Sequence, residues 1–344
     1  MNKEKLLTIV IPTYNMEAYL RRSLDSLVVS DIELRTALEV LVINDGSKDS
    51  SSLIAHEYEE NYPETFRVVD KENGNYGSCL NRGIEEASGL FFKILDADDW
   101  YDTRGLADLL VSLKRNTDID AVFTEFTYHD INTNTNTIYR YRTIEYDRKY
   151  NYSEVDLAGG SDECMLKMYG ITVKTDILRR ADIRMDTGIS YTDNEFMYFL
   201  YSEISKVVFL NVNVYQYYIG REGQTVSPAS LAKHINDMYI VTKRMLDDYI
   251  RNCKSFSSEN VIGCKEHHIV MCGLIYFNES LELGYDIERN MKMKELYQKI
   301  KGIPSIKGSM LKKSPFFMLW AFTGLYKSGA LIKPLWNLSK RFKK

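Results

Sequence analysis

The chain has 344 residues, 44% of them hydrophobic and 27% charged, enough for one catalytic domain and an appendage and too evenly mixed for a disordered or fibrous protein. The net charge of −4 is unevenly spread: residues 301–344 hold ten of the 44 Lys and Arg and none of the 48 Asp and Glu, so the first 300 residues are acidic. That division argues against nucleic acid as a partner and for a tail that meets an anionic surface. The five cysteines are scattered, with no CxxC pair, which excludes a disulfide framework or a zinc ribbon and predicts reduced thiols in a cytoplasmic setting.

In chain order, Leu6 to Ile11 is a β-branched apolar run too short for a signal peptide and suited to a strand buried on both faces. Asn15 is a candidate cap for a helix through Leu20, Leu24 and Leu27. A second strand, Leu38 to Ile43, precedes a polar helix, and a third, Phe66 to Val69, precedes a helix from about Ser78 to Ala87. Leu90 to Leu95 is the fourth strand, and its Lys93 needs either an acidic partner or an edge position in water. This alternation predicts an α/β fold with a mostly parallel sheet flanked by helices, binding ligands at the carboxyl ends of its strands. Antiparallel strands are expected at Ala121 to Tyr128 and Ile138 to Ile144, a strand at Gly170 to Lys174, a helix at Asp193 to Glu203 and a strand at Val207 to Tyr218. A catalytic domain over 1–227, a helical extension over 228–305 and a basic amphipathic tail over 306–344 follow.

Polar clusters stand after three of these strands. Asp96-Ala97-Asp98-Asp99 puts three carboxylates into four residues, which repel one another unless a cation neutralises them. Oxygen donors of this kind suit Mg²⁺ or Mn²⁺. Pro12-Thr13-Tyr14-Asn15 and Asn44-Asp45-Gly46-Ser47 occupy the same edge, where a carboxylate can accept a base N–H or a ribose hydroxyl.

These two motifs, with Asn81-Arg82-Gly83, Ala87-Ser88-Gly89 and Asp96-Ala97-Asp98-Asp99 in that order, resemble the motifs of the family-two glycosyltransferases, inverting enzymes of the GT-A fold common in bacterial surface-polysaccharide assembly. The resemblance spans the first hundred residues and continues more weakly to about 227. It implies a nucleotide-sugar half over about 1–100 and an acceptor half over about 101–227. It implies that Pro12, Thr13, Tyr14, Asn15 and Asp45 flank the nucleotide, with Lys71 a further contact. Asp96 would meet the ribose, Asp98 a metal on the diphosphate, and Asp99 would share the metal. Arg221 falls in a segment resembling a mobile cover over the diphosphate. Asp193 falls at the position of the catalytic base, with Glu195 as the fallback, because Thr192 stands where the family has its first acid.

The expected activity is transfer of a sugar from a nucleoside-diphosphate donor, UDP above dTDP or GDP, to a hydroxyl of a glycan or polyprenyl-lipid-linked acceptor, with a metal as Lewis acid and a carboxylate as base. A DxD phosphohydrolase would carry the motif after its first strand, and a nucleotidyltransferase would carry a Gly-rich loop there. A catalytically inactive sugar-nucleotide-binding or membrane-docking scaffold is the remaining alternative. Residues 307–344 interleave Lys and Arg with Phe316, Phe317, Trp320, Phe322 and Trp336. That suits either a helix lying on an anionic membrane, peripheral on its cytoplasmic face, or a helix packed on the protein's own body or a partner. Cys264, His268 and Cys272 share one helical face and read as core residues.

Overall fold

The computed structural model describes residues 5–141, 143–155, 166–221, 224, 227–256 and 258–323. The chain divides into two compact units, Met1–Gln224 and Thr225–Lys344.

The first unit is built on a ten-stranded mixed sheet. Strands β1 (Leu7–Thr13), β2 (Leu38–Asn44), β3 (Phe66–Asp70) and β4 (Phe91–Ile94) form a parallel block in the order β3-β2-β1-β4. Every residue of β2 and β4, and all of β1 except Pro12, is buried, as their mainly apolar runs favour. The block continues through β9 (Ile171–Lys174), which runs antiparallel to both β4 and β6 (Ala121–Asp130). β10 (Lys206–Ile219) then pairs parallel with β6, and β5 (Trp100–Tyr101) pairs antiparallel with β10. The hairpin partner of β6 is β7 (Thr135–Tyr139), earlier and shorter than the run to Ile144 expected from sequence, because the strand closes directly on the Asn-Thr turn.

Helices α4 (Asn75–Glu86) and α5 (Thr103–Arg115) are amphipathic covers for the sheet. α5 starts at Asp102, whose side chain accepts from Gly105 N at 2.7 Å, and seats Leu106, Leu109, Leu110 and Leu113 in the core. Burying each leucine contributes roughly 1.5–3 kcal/mol. α4 lies close on β1 because residue 83 is glycine: a Cβ there would stand 2.5 Å from Val10 Cγ1.

Asn15 does not cap a helix. Its φ is 53°, it accepts from Lys48 N at 2.8 Å, and the helix that follows, α1 (Leu20–Asp25), begins after Tyr19. Lys93 is neither paired with an acid nor on an edge. It lies in β4 between β1 and β9, 1% exposed, and donates to Tyr169 O at 2.9 Å and Ile171 O at 3.0 Å.

The second unit is helical, with α9 (Ile235–Asn252) and α10 (Glu259–Glu282) as its longest members. Its α13 (Pro315–Thr323) turns Phe317 and Trp320 inward, 0% and 2% exposed, against Phe277 and Tyr297. Met318 and Phe322 of the same helix face outward, 43% and 70% exposed. The expected tail beyond residue 323 lies outside the described residues. Among the described residues no helix is long and apolar enough to cross a membrane.

Candidate active site

The carboxyl edge of the parallel block gathers the polar ends of β1, β2, β3 and β4. Thr13, 1% exposed, donates to Ile11 O at 3.1 Å, and its carbonyl accepts from Asp45 N at 2.8 Å. The first two strand ends are thereby locked together. Tyr14 is 45% exposed beside them. Asp45, 2% exposed, accepts from Lys71 Nζ and, on the same oxygen, from Gly74 N at 2.9 Å. Lys71 also donates to Ser78 Oγ at 2.9 Å. It is therefore a half-buried member of this cluster, tying β2 to the start of α4. Gly46, at φ 72°, is the position that turns the chain away from Asp45.

The three carboxylates after β4 have three different environments. Asp96 accepts from Tyr76 Oη at 2.7 Å, and burial and the neighbouring charge of Asp98 push its carboxyl up to about 7. Asp98, 7% exposed, is paired with Arg221 Nε, while Arg22 Nη2 donates to its main-chain carbonyl at 2.7 Å. Asp99 is fully buried and accepts from Tyr215 Oη at 2.6 Å and Tyr218 N at 2.8 Å. Both of its oxygens accept from β10, so this side chain fastens β10 to the turn. Tyr215 also accepts from Asp96 N at 3.2 Å, so one buried hydroxyl connects the first and last acids of the motif.

Asp193 opens α7 (Asp193–Leu200). Burial raises its carboxyl above the usual range, and its charge is felt at Asp96 and Tyr76. Asn81 brings this segment in from far along the chain, donating to Met185 O at 2.8 Å and accepting from Met185 N at 2.9 Å. At Gly77 the two backbones come so close that a Cβ would lie 2.2 Å from Asp186 O. Glu195, 0% exposed, accepts from Asp186 N at 2.8 Å and holds the loop ahead of α7.

Ala87-Ser88-Gly89 lies at the opposite end of the sheet. Gly89 N donates to Thr8 Oγ1 at 2.8 Å and Ser88 N to Glu39 at 2.7 Å, so this motif sets the entry of β4 and touches no ligand edge. Tyr76, Arg22, Tyr215 and Tyr169 were missed by sequence reasoning. The alternation of Tyr215 and Tyr217 on β10 is the signal that marks one face, on which Tyr169 packs at 4.9 and 4.5 Å.

Among the described residues, no group of three or more His, Cys, Asp or Glu side chains is arranged to hold a cation unaided. The donor set fits a Mg²⁺- or Mn²⁺-type ion that takes one or two carboxylates from the protein and its other oxygens from a bound diphosphate. Asp98 and Asp96 are the carboxylates that would hold it.

A parallel block ending in carboxylates, continued by a mixed half, defines a nucleotide-binding α/β architecture of the GT-A kind. The chain is similar over 97% of its length to residues 1–349 of Staphylococcus aureus TarS, solved in complex with UDP-GlcNAc, with a TM-score of 0.66, 18% identity and 92% of that chain covered. It is also similar to the mannosyltransferase PcManGT of Pyrobaculum calidifontis, solved with GDP-Man and Mn²⁺, with a TM-score of 0.52 and 15% identity over 97% of this chain and 88% of that one. Residues 8–166 match the family Glycosyl transferase family 2. An uncharacterised glycosyltransferase of Escherichia coli, YibD, is 41% identical over 99 residues, 29% of this chain. Glycosyltransferase GlyA of Streptococcus pneumoniae is 26% identical over 220 residues, 62% of this chain. These matches cover 28% and 30% of the two relatives, so the chain spans less than a third of their length.

Proposed function

We propose that the protein is an inverting glycosyltransferase that moves a sugar from a nucleoside-diphosphate donor, UDP-linked, to a hydroxyl of a glycan or a polyprenyl-lipid-linked acceptor. The observation that carries this reading is the pairing of the Asp96–Asp98 turn with Asp193: Asp98 is held against a guanidinium, and Asp193, raised by burial, acts electrostatically on Asp96 in the same turn. The GT-A likeness to a UDP-GlcNAc complex supports a uridine donor, and the Mn²⁺ of the mannosyltransferase supports a divalent ion.

In this reading Thr13 and the Asp45–Lys71 pair receive the base, with Pro12, Tyr14 and Asn15 along the same edge. Asp96 accepts from the ribose. Asp98 holds the ion and Arg221 binds diphosphate oxygens, for which its guanidinium is well shaped. When bound, Mn²⁺ or Mg²⁺ supplies Lewis-acid stabilisation of the leaving diphosphate. Asp193 accepts the acceptor's proton as its oxygen attacks the anomeric carbon. Its raised pKa strengthens it as a base, and the single displacement gives a β-linkage from an α-linked donor. Peripheral attachment to the cytoplasmic face of an anionic membrane, through residues 307–344, fits a lipid-linked acceptor.

The test is isothermal calorimetry with UDP, dTDP and GDP, with and without Mn²⁺, followed by transfer assays on Asp193→Asn. Metal-dependent binding of UDP, retained in the variant while transfer falls by about 10²–10⁴-fold, is expected. Full turnover by the variant removes Asp193 from the role of base, and failure of every nucleotide to bind folded protein removes the transferase reading.

A further inference from the structure

Asn81 belongs to a motif that the proposed function leaves unused. It lies midway along α4, and its side-chain amide makes both bonds of a strand partner with one residue 104 positions away: Nδ2 donates to Met185 O at 2.8 Å and Oδ1 accepts from Met185 N at 2.9 Å. At neutral pH only a carboxamide offers a donor and an acceptor side by side in this way. The contact is one of a series. Near the end of α4, Arg179 Nε donates to Ile84 O at 3.0 Å and Arg184 pairs with Glu85 at 2.6 Å. Then Met185 meets Asn81, Asp186 O presses on Gly77, and Gly188 N donates to Gly74 O at 2.9 Å ahead of the first turn. The segment from Arg179 to Gly188 is thus laid antiparallel along the whole helix.

The start of α4 is fixed to the nucleotide edge, because Gly74 N donates to Asp45 at 2.9 Å and Ser78 Oγ accepts from Lys71 at 2.9 Å. The far end of the docked segment runs directly into Asp193, the first residue of α7. On the way, Gly188 and Tyr191 hold φ of 78° and 67°. Glycine accepts that backbone freely, whereas an aromatic residue keeps it only where its surroundings enforce it. Here both sides of the segment are held. Asn81 fixes Met185, while Asn194 donates from N and Nδ2 to Tyr191 O at 3.2 and 3.0 Å.

We propose that Asn81 is a positioning residue for the base: its amide sets the register of residues 182–192 on α4, and with it the placement of Asp193 against the nucleotide edge. This rests on the reading of Asp193 as base, while the register itself rests on the Asn81–Met185 pair. The position of Asp193 is thereby a property of the nucleotide half, since one helix carries both the contact to Asp45 and the segment that leads to the base. Removing the amide leaves the N–H and C=O of Met185 unpaired in a residue only 3% exposed, a cost that the segment relieves by moving toward water. Release of the left-handed backbone at Tyr191 favours the same movement. A displacement of about 1 Å at a reacting group lowers the rate by about 10²-fold, while the edge that receives the nucleotide is unaltered.

The experiment compares wild type, Asn81→Ala, Asp193→Asn and the double variant as full chains shown to be folded by circular dichroism. Hydrogen exchange read by mass spectrometry should speed up in Asn81→Ala over residues 183–192 and stay unchanged in β1 and β2. Calorimetric affinity for UDP with Mn²⁺ should remain within a few-fold of wild type. For release of UDP from UDP-GlcNAc in water, kcat should fall by about 10²-fold at unchanged KM. Asn81→Asp keeps the size but sets a carboxylate against the Met185 carbonyl, and should fall as far. The double variant should be no slower than Asp193→Asn, because a residue that acts only through the base loses nothing further once the base is gone. Unchanged exchange in Asn81→Ala overturns the proposal without any turnover being measured. Multiplied losses in the double variant, or a raised KM with kcat kept, overturn it as well. Full turnover by Asp193→Asn is the separate result that removes the base itself, and the proposal with it.

Discussion

Lys93→Met tests how a buried ammonium without a counter-charge is accommodated in the middle of the sheet. Lys93 is 1% exposed and donates to two main-chain carbonyls, with the Tyr101 ring 5.7 Å from its nitrogen. Burial lowers its pKa from 10.5 to about 7. Between those values the unfolded chain carries a proton that the folded chain does not, so stability rises with pH across this window and is flat below it. One proton corresponds to about 1.4 kcal/mol per pH unit, so the folded state gains roughly 5 kcal/mol from this group by the top of the window. Methionine keeps the unbranched stem and removes the titration, at a cost of about 1 kcal/mol for each carbonyl that loses its donor. Urea unfolding of both proteins from pH 6.5 to 10 isolates the effect, because every other titrating group cancels in the difference. Wild-type stability should climb relative to the variant from about pH 7 upward. Parallel curves would refute the argument and mean that Lys93 keeps its proton in the folded state.

The other predictions concern Asp99 and α13. Asp99→Asn places an amide N–H₂ against either Tyr215 Oη or Tyr218 N, where both oxygens now accept. It should lower stability by about 1–3 kcal/mol in urea unfolding while leaving the Mn²⁺ affinity of the folded protein within a few-fold of wild type; a loss as deep as that of Asp98→Asn would restore Asp99 as a ligand. Met318→Glu with Phe322→Glu alters only the outward face of α13, next to Lys312 and Lys313. Flotation with phosphatidylglycerol vesicles should recover the wild type and lose the variant at unchanged melting temperature, and equal recovery would remove this face from membrane attachment.

The strand ends were legible because each polar cluster interrupts an apolar run, and this alone puts Thr13, Asp45 and Asp96 on the carboxyl edge of a parallel block. What each polar residue does there was less legible. Asn15 has a capping residue's chemistry, but its positive φ and its bond to Lys48 make it a brace between two turns. Lys71 reads as a surface lysine until β2 and α4 close around it. Arg22 meets Asp98 across 76 residues, Asn81 meets Met185 across 104, and Tyr215 meets Asp96 across 119. Such contacts follow from strand order, in which β9 inserts between β4 and β6, and no local pattern of spacing encodes them.

The acidic motif shows why residue type alone did not separate these roles. Three adjacent aspartates cannot all remain charged in a sheltered turn, and the fold resolves the repulsion differently at each. Asp99 is withdrawn completely, its pKa raised well above the usual range by burial and by the charges of Asp98 and Asp96, and it becomes a fastener for β10. Asp96 titrates near 7, held by the Tyr76 hydroxyl and poised between accepting and donating forms. Asp98 alone has a cationic partner, Arg221. Substituting Asp98 by asparagine therefore removes the carboxylate that faces Arg221, whereas at Asp99 it removes a fastener of β10.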